Sequence, residues 1–215
     1  MRNSLVIMAS ALALACGTAA QALTVTDPTG DFIPSYTGPH QADLDVTSFS
    51  VSWLAGSQSF LLQSTMAGVI DASLPGFYAI GVDTGTGPSN FASIGLPGVR
   101  FNQVIAVQKD GTARIGATSL AAGSVVIGSN ALSVMVPLSL LPSTGFDAPN
   151  YAFNIWPRSG AGGTSVISDF APDDRTVSSL ALSAAPEPAT WLSMLLGFGL
   201  CGFALRASRS RVGFA

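Results

Sequence analysis

The amino-acid sequence predicts an all-β fold, an antiparallel β-sandwich of the jelly-roll kind, with a hydrophobic segment at each end. Three observations predict it. Apolar residues recur with period two in several short runs, the pattern of half-buried strands. Gly and Pro number 23 and 13 in 215 residues, and they punctuate those runs. Charged residues make up only 10% of the chain, against about 25% in an average soluble domain. Between the two ends there is no Glu and one Lys, Lys109, which argues against long exposed helices.

The first element, residues 1–22, reads as a secretory signal for the Sec machinery. Arg2 supplies the positive start, an apolar run follows over 5–15, and Ala20-Gln21-Ala22 gives the small-x-small cleavage pattern. The apolar run is too short to span a bilayer comfortably. A lipoprotein signal would use Cys16, but Ala13-Leu14-Ala15 lacks a large aliphatic residue three before it.

The sandwich domain is expected over 23–183. Phe49, Val51 and Trp53 share one strand face, with Ser50 and Ser52 between them. A strand at 78–82 is broken by Gly85, Gly87 and Pro88. Phe101, Gln103, Ile105 and Val107 form the next period-two set. Asp110-Gly111 then joins it to a strand at 112–115; a type I′ hairpin there takes positive φ at both positions. Ser129-Asn130 is a weaker turn between 125–127 and 131–136. Leu132, Val134, Val136, Leu138 and Leu140 alternate as one strand, and Tyr151, Phe153 and Ile155 as another. Gly160 to Gly163 is a loop, and 178–185 is a last strand fading into a linker.

The C-terminal end has three parts. A linker over 184–188 contains Pro186-Glu187-Pro188. An apolar transmembrane helix over 189–205 covers about 25 Å, with Trp191 at its outer edge. Arg206, Arg209 and Arg211 follow in a basic tail, 206–215, expected to be cytoplasmic. This order resembles the PEP-CTERM sorting signal. The resemblance implies processing by an exosortase near the Pro-Glu-Pro, in a Gram-negative cell that makes exopolysaccharide. The precursor would sit in the inner membrane and its product at the cell surface or in the extracellular matrix. The alternative is a permanent single-span anchor.

Removing the ends changes the charge balance. Arg2, Arg206, Arg209 and Arg211 lie in the ends, leaving five of nine basic residues. Only one of twelve acids, Glu187, is lost with them, so the domain carries a net charge of −6. That disfavours a nucleic-acid-binding surface. The two cysteines, Cys16 and Cys201, also lie in the ends, so the domain has no disulfide, thiol nucleophile or Cys-ligated metal.

All eleven remaining acids are Asp, and several cluster. Asp27 and Asp31 occur in Asp-Pro-Thr-Gly-Asp, Asp43 and Asp45 in Ala-Asp-Leu-Asp, and Asp169, Asp173 and Asp174 in Asp-Phe-Ala-Pro-Asp-Asp. First and last strands of a sandwich are often close, so these groups can converge on one oxygen-rich site. Calcium takes six to eight oxygens from carboxylates and loop carbonyls. The competing reading is turn capping by Asp.

Taken in order, Asp-Pro-x-Gly-Asp, Ala-Asp-Leu, Gly-Phe-Tyr-Ala-Ile-Gly-Val-Asp-Thr, Val-Met-Val-Pro-Leu-Ser-Leu-Leu and Asp-Phe-Ala-Pro-Asp resemble the DOMON-like β-sandwiches, which include the family-nine carbohydrate-binding modules. The resemblance implies a calcium-stabilised sandwich with Asp27, Asp31, Asp43 and Asp169 as ligand candidates. Sugar binding would use exposed aromatic faces, for which Trp156 and Tyr36 are the candidates.

Catalysis finds little footing. The only histidine, His40, lies in a loop, and there is no Gly-x-Ser-x-Gly elbow. Gly85-x-Gly87 is followed by neither Lys nor a helix pattern, so it does not make a nucleotide loop. The reading is an exported, non-catalytic surface or exopolysaccharide-matrix protein. A calcium-supported carbohydrate-binding module is the first alternative, and a secreted glycan-active enzyme the second.

Overall fold

Period-two alternation commits each strand to two faces, and in β4 (Phe77–Asp83) and β10 (Ala152–Arg158) the chain buries both. The computed structural model describes residues 22–178. Residues 1–21 and 179–215 lie outside the described residues, and with them the expected signal over 1–22 apart from Ala22, the Pro-Glu-Pro linker, the transmembrane helix and the basic tail. Eleven strands and five short 3₁₀ turns make up the described part, and no α-helix occurs in it.

The strands are β1 (Ala22–Thr26), β2 (Val46–Leu54), β3 (Ser59–Met66), β4 (Phe77–Asp83), β5 (Gln103–Gln108), β6 (Ala113–Ile115), β7 (Thr118–Ser119), β8 (Val125–Ile127), β9 (Ala131–Pro137), β10 (Ala152–Arg158) and β11 (Val177–Ser178). They form two sheets, in the orders β1-β2-β3-β9-β8 and β11-β10-β4-β5-β6-β7. Every neighbouring pair is antiparallel. The result is an all-β, sandwich-like arrangement.

One apolar core receives alternate side chains from both sheets. Phe49 and Val51 of β2, Phe60 and Leu62 of β3, and Leu132, Val134 and Val136 of β9 enter from one side. Tyr78, Ile80 and Val82 of β4, Ile105 and Val107 of β5, and Phe153 and Ile155 of β10 enter from the other. The opposite face of β4 and β10 is covered as well. Ala79 and Trp156 pack there under Phe91, Val99, Ile167 and Phe170 from the connecting segments. Gly81 is required by this second layer, because a Cβ on it would stand 2.5 Å from the Trp156 ring.

Three local expectations are corrected. Gly111 has φ +84°, but Asp110 does not share the positive φ of a type I′ turn. Gln108 N donates to Thr112 O at 2.8 Å and Gly111 N to Gln108 O at 3.1 Å, closing a three-residue loop with Gly as its one left-handed position. The Asp110 carboxylate, which accepts from Thr112 N and Oγ1, favours this form. Leu138 and Leu140 leave the strand, since β9 ends at Pro137, which has no N–H to extend the ladder; a 3₁₀ turn follows. Phe101 lies before β5 and joins the outer aromatic layer instead of the core face of Ile105.

The two ends of the domain meet beside β2. Asp27 N continues the β1–β2 ladder by donating to Thr47 O at 3.0 Å. Ile33 N donates to Ser168 O at 2.9 Å, and Ser168 Oγ donates to Leu44 O at 2.7 Å. These contacts bring 27–33 and 168–173 to one place.

Candidate metal centre

Four carboxylates gather where those segments meet. Asp27, Asp31, Asp169 and Asp173 each present an oxygen, and these oxygens lie within 4.8 Å of one another. Asp27 follows the last residue of β1, and Pro28-Thr29-Gly30 turns the chain so that Asp31 returns beside it. Gly30 makes that turn at φ +84°. Its N–H donates to Asp45 Oδ2 at 2.7 Å, so Asp45 fixes the loop from below.

Asp169 is 1% exposed and is held in place by backbone donors. Val46 N donates to its Oδ2 at 2.8 Å and Phe170 N to its Oδ1 at 2.7 Å. Asp173, past Pro172, is exposed and forms the open side of the cluster. Asp27 Oδ2 and Asp31 Oδ1 are buried without a hydrogen-bond partner, as is Asp45 Oδ1. Carboxylate oxygens buried in that condition carry a full desolvation penalty.

The electrostatics follow from the packing. Burial, reinforced by Asp169, Asp173, Asp31 and Asp45, pushes the Asp27 carboxyl up to about 8. Burial raises Asp169 to about 7 against the opposing hydrogen bond from Val46. Asp31 and Asp45 are also raised, again mainly by burial. Among the described residues no positive group offsets these shifts. Such a cluster must hold protons or a cation. It can hold a metal ion, and its all-oxygen donor set suits a hard one.

The structure sorts the residues singled out in the sequence. It brings Asp27, Asp31 and Asp169 together and sends Asp43 elsewhere. Asp43 lies in the 3₁₀ turn Ala42–Leu44, and its Oδ2 sits 2.6 Å from Lys109 Nζ in a buried ion pair. Oδ2 also accepts from Asp71 N at 3.2 Å. Of the two carboxylates in Ala-Asp-Leu-Asp, it is Asp45 that supports the cluster. Asp173 is the fourth member that the ligand assignment missed. Its signal was spacing: Asp169 and Asp173 are four apart around a proline, as are Asp27 and Asp31.

The aromatic candidates are both placed inside. Trp156 is 2% exposed, with its ring centroid 4.7 Å from Phe101 and 5.1 Å from Phe91. Tyr36 is 7% exposed, donates its OH to Pro39 O at 2.8 Å, and stacks with Phe32 and His40. Trp156 lies on the outer face of β10, and the segments around Phe91 and Phe170 cover that face. Pro186, Glu187, Pro188, Trp191, Arg206, Arg209 and Arg211 lie outside the described residues.

No protein-family model, curated protein or solved structure matches this chain.

Proposed function

We propose that this chain is an exported, non-catalytic protein of the cell surface or exopolysaccharide matrix, delivered through its PEP-CTERM tail, whose jelly-roll-like domain is closed by calcium. The observation that carries the calcium reading is the convergence of Asp27 and Asp31 with Asp169 and Asp173, with two of their buried oxygens unpartnered. A divalent ion there would neutralise mutual repulsion and cross-link the two ends of a domain that has no disulfide. Asp27 and Asp31 would hold it from the N-terminal side, and Asp169 and Asp173 from the other. Asp45 would act as a positioning residue through Gly30. Calcium suits the site better than magnesium because it accepts irregular oxygen geometry and sheds water more readily.

Export rests on the sequence at the two ends, and the tail supplies the route through an exosortase. With both aromatic candidates buried, no observation favours a stacking sugar site at Trp156 or Tyr36. The test is equilibrium dialysis of the full chain against calcium. One ion per chain is expected, with binding lost in Asp27→Asn and Asp169→Asn and retained in Asp43→Asn. Binding in all three variants, or none in the native protein, contradicts the assignment.

A further inference from the structure

The two sheets leave their edge strands, β1 and β11, side by side, and a cleft of about 870 Å³ opens between them. Its lining is mixed. Thr24, Thr26 and Asn150 offer hydroxyl and amide groups, Phe146 stands 38% exposed, and two arginines, Arg100 and Arg175, enter from different loops.

The arginines stand out against the charge of the domain. Its five cations must serve eleven acids. Lys109 is buried against Asp43. Arg158 donates to the carbonyls of its own glycine loop and lies over the Phe77 ring. Arg114 donates to Gly116 O, two residues on. Arg100 spends only Nε, on Gly87 O at 3.0 Å, and the Arg175 guanidinium makes no hydrogen bond or ion pair among the described residues. Both of these less committed cations line the same cleft.

Their placement is built into the fold. Gly98 N donates to Asp174 Oδ1 at 2.6 Å, fastening the loop before Arg100 to the residue before Arg175. A Cβ on Gly98 would come within 2.1 Å of Asp174 O, so the two loops touch backbone to backbone. The one carboxylate lining the cleft, Asp83, is 6% exposed and turned inward; its Oδ1 accepts from Gly85 N and Gly87 N.

We infer that this cleft binds a carboxylated polysaccharide, with Arg100 and Arg175 taking uronate carboxylates. The guanidinium fork matches a carboxylate in two parallel hydrogen bonds. Thr24, Thr26 and Asn150 suit ring hydroxyls, and the Phe146 ring suits the apolar face of a pyranose. The volume exceeds what a lone inorganic anion fills, and the low cation count does not serve the dense charge of a nucleic acid. The inference goes beyond the cation site and does not rest on it. The two features do adjoin, since Val25, Thr26 and Arg175 also line the shallow pocket that holds Asp27 and Asp173.

The experiment is calorimetric titration of the full chain, in mild detergent, with hexamers of galacturonate and of mannuronate. Maltohexaose and hexaglutamate are the neutral and peptide comparisons, and each run is made in EGTA and in calcium. At least one uronate is expected to bind in one or both buffers, more weakly as salt is added. Arg100→Gln and Arg175→Gln should each raise its Kd about tenfold or more, the usual worth of a charged hydrogen bond. Arg114→Gln should not. Circular dichroism of the variants separates lost binding from lost fold. Absence of uronate binding in both buffers overturns the inference, as does equal binding by both arginine variants. Equally tight hexaglutamate would assign the cleft to an acidic peptide instead. Failure of calcium to bind leaves this result readable, because the arginine dependence is scored within each buffer.

Discussion

Acidification should stabilise the metal-free domain, the reverse of ordinary acid denaturation. The perturbation is a shift from pH 7 to pH 5 in EGTA. Asp169 is buried, and its carboxyl is raised to about 7 in the folded chain, against about 3.9 in an unfolded one. A raised carboxyl pKa means that the folded state holds the proton more tightly. Its stabilising contribution is therefore full below about 3.9 and is lost as the pH climbs through about 7. Between pH 5 and pH 7 the folded state keeps a proton that the unfolded state has released. One such proton gives a slope of about −1.4 kcal/mol per pH unit, so raising the pH across that window costs up to about 2.7 kcal/mol. Asp27, raised to about 8, acts in the same direction. For a domain of this size 2.7 kcal/mol corresponds to about 5–10 °C in Tm. Calcium must displace these protons, so saturating calcium should flatten the slope and stabilise far more at pH 7 than at pH 5. The assay is thermal unfolding followed by circular dichroism at pH 5, 6 and 7, in EGTA and in calcium, with Asp169→Asn as the variant that should lose most of the slope. A metal-free Tm that rises with pH across this window would refute the reasoning. So would a calcium shift of equal size at every pH.

Three further outcomes are expected. Lys109→Met strands the buried Asp43 carboxylate and should cost about 3–5 kcal/mol in urea unfolding; pairing it with Asp43→Leu should recover most of that loss, and a double variant no better than the single would count against the buried ion pair. Gly111→Val forces a β-branched residue to φ +84° in the β5–β6 loop and should cost about 1–3 kcal/mol; an unchanged Tm would contradict the turn geometry. Glu187→Ala should leave an unprocessed precursor in the inner membrane, and intact-mass analysis of native surface-extracted protein should find a chain lacking 191–211; a native mature form that keeps that segment would make the tail a simple anchor.

How much could be read before the fold was known depended on the range of the interaction. Period two was legible because a half-buried strand imposes it locally, and it placed β2, β5, β9 and β10 within a few residues of their bounds. β1 escaped notice because five residues carry too little alternation, and only pairing with β2 makes them a strand; the last strand expected from 178 overlaps β11 at Ser178, where it pairs with β10. The cation cluster was half legible. Composition and the expected meeting of first and last strands mark all seven clustered aspartates, and the DOMON-like resemblance implies Asp27, Asp31, Asp43 and Asp169 as the ligands. Choosing between Asp43 and Asp45 needed the direction of a 3₁₀ turn, and Asp43 is drawn off by Lys109, 66 positions away in the chain. Trp156 shows a similar limit. Alternation identifies a face, but whether that face meets water depends on loops far off in sequence, here those bearing Phe91 and Phe170.

The most direct test of the account is thermal unfolding of the full chain at pH 7 in EGTA, in calcium and in magnesium. An ion bound only by the folded state adds RT ln(1 + [L]/Kd), about 2.7 kcal/mol at a hundredfold excess over Kd. The account predicts a rise of about 5–10 °C in calcium, a smaller one in magnesium, and little calcium response in Asp31→Asn or Asp169→Asn. Superimposable curves in all three buffers would contradict it and leave Asp27, Asp31, Asp169 and Asp173 as a cluster that holds only protons.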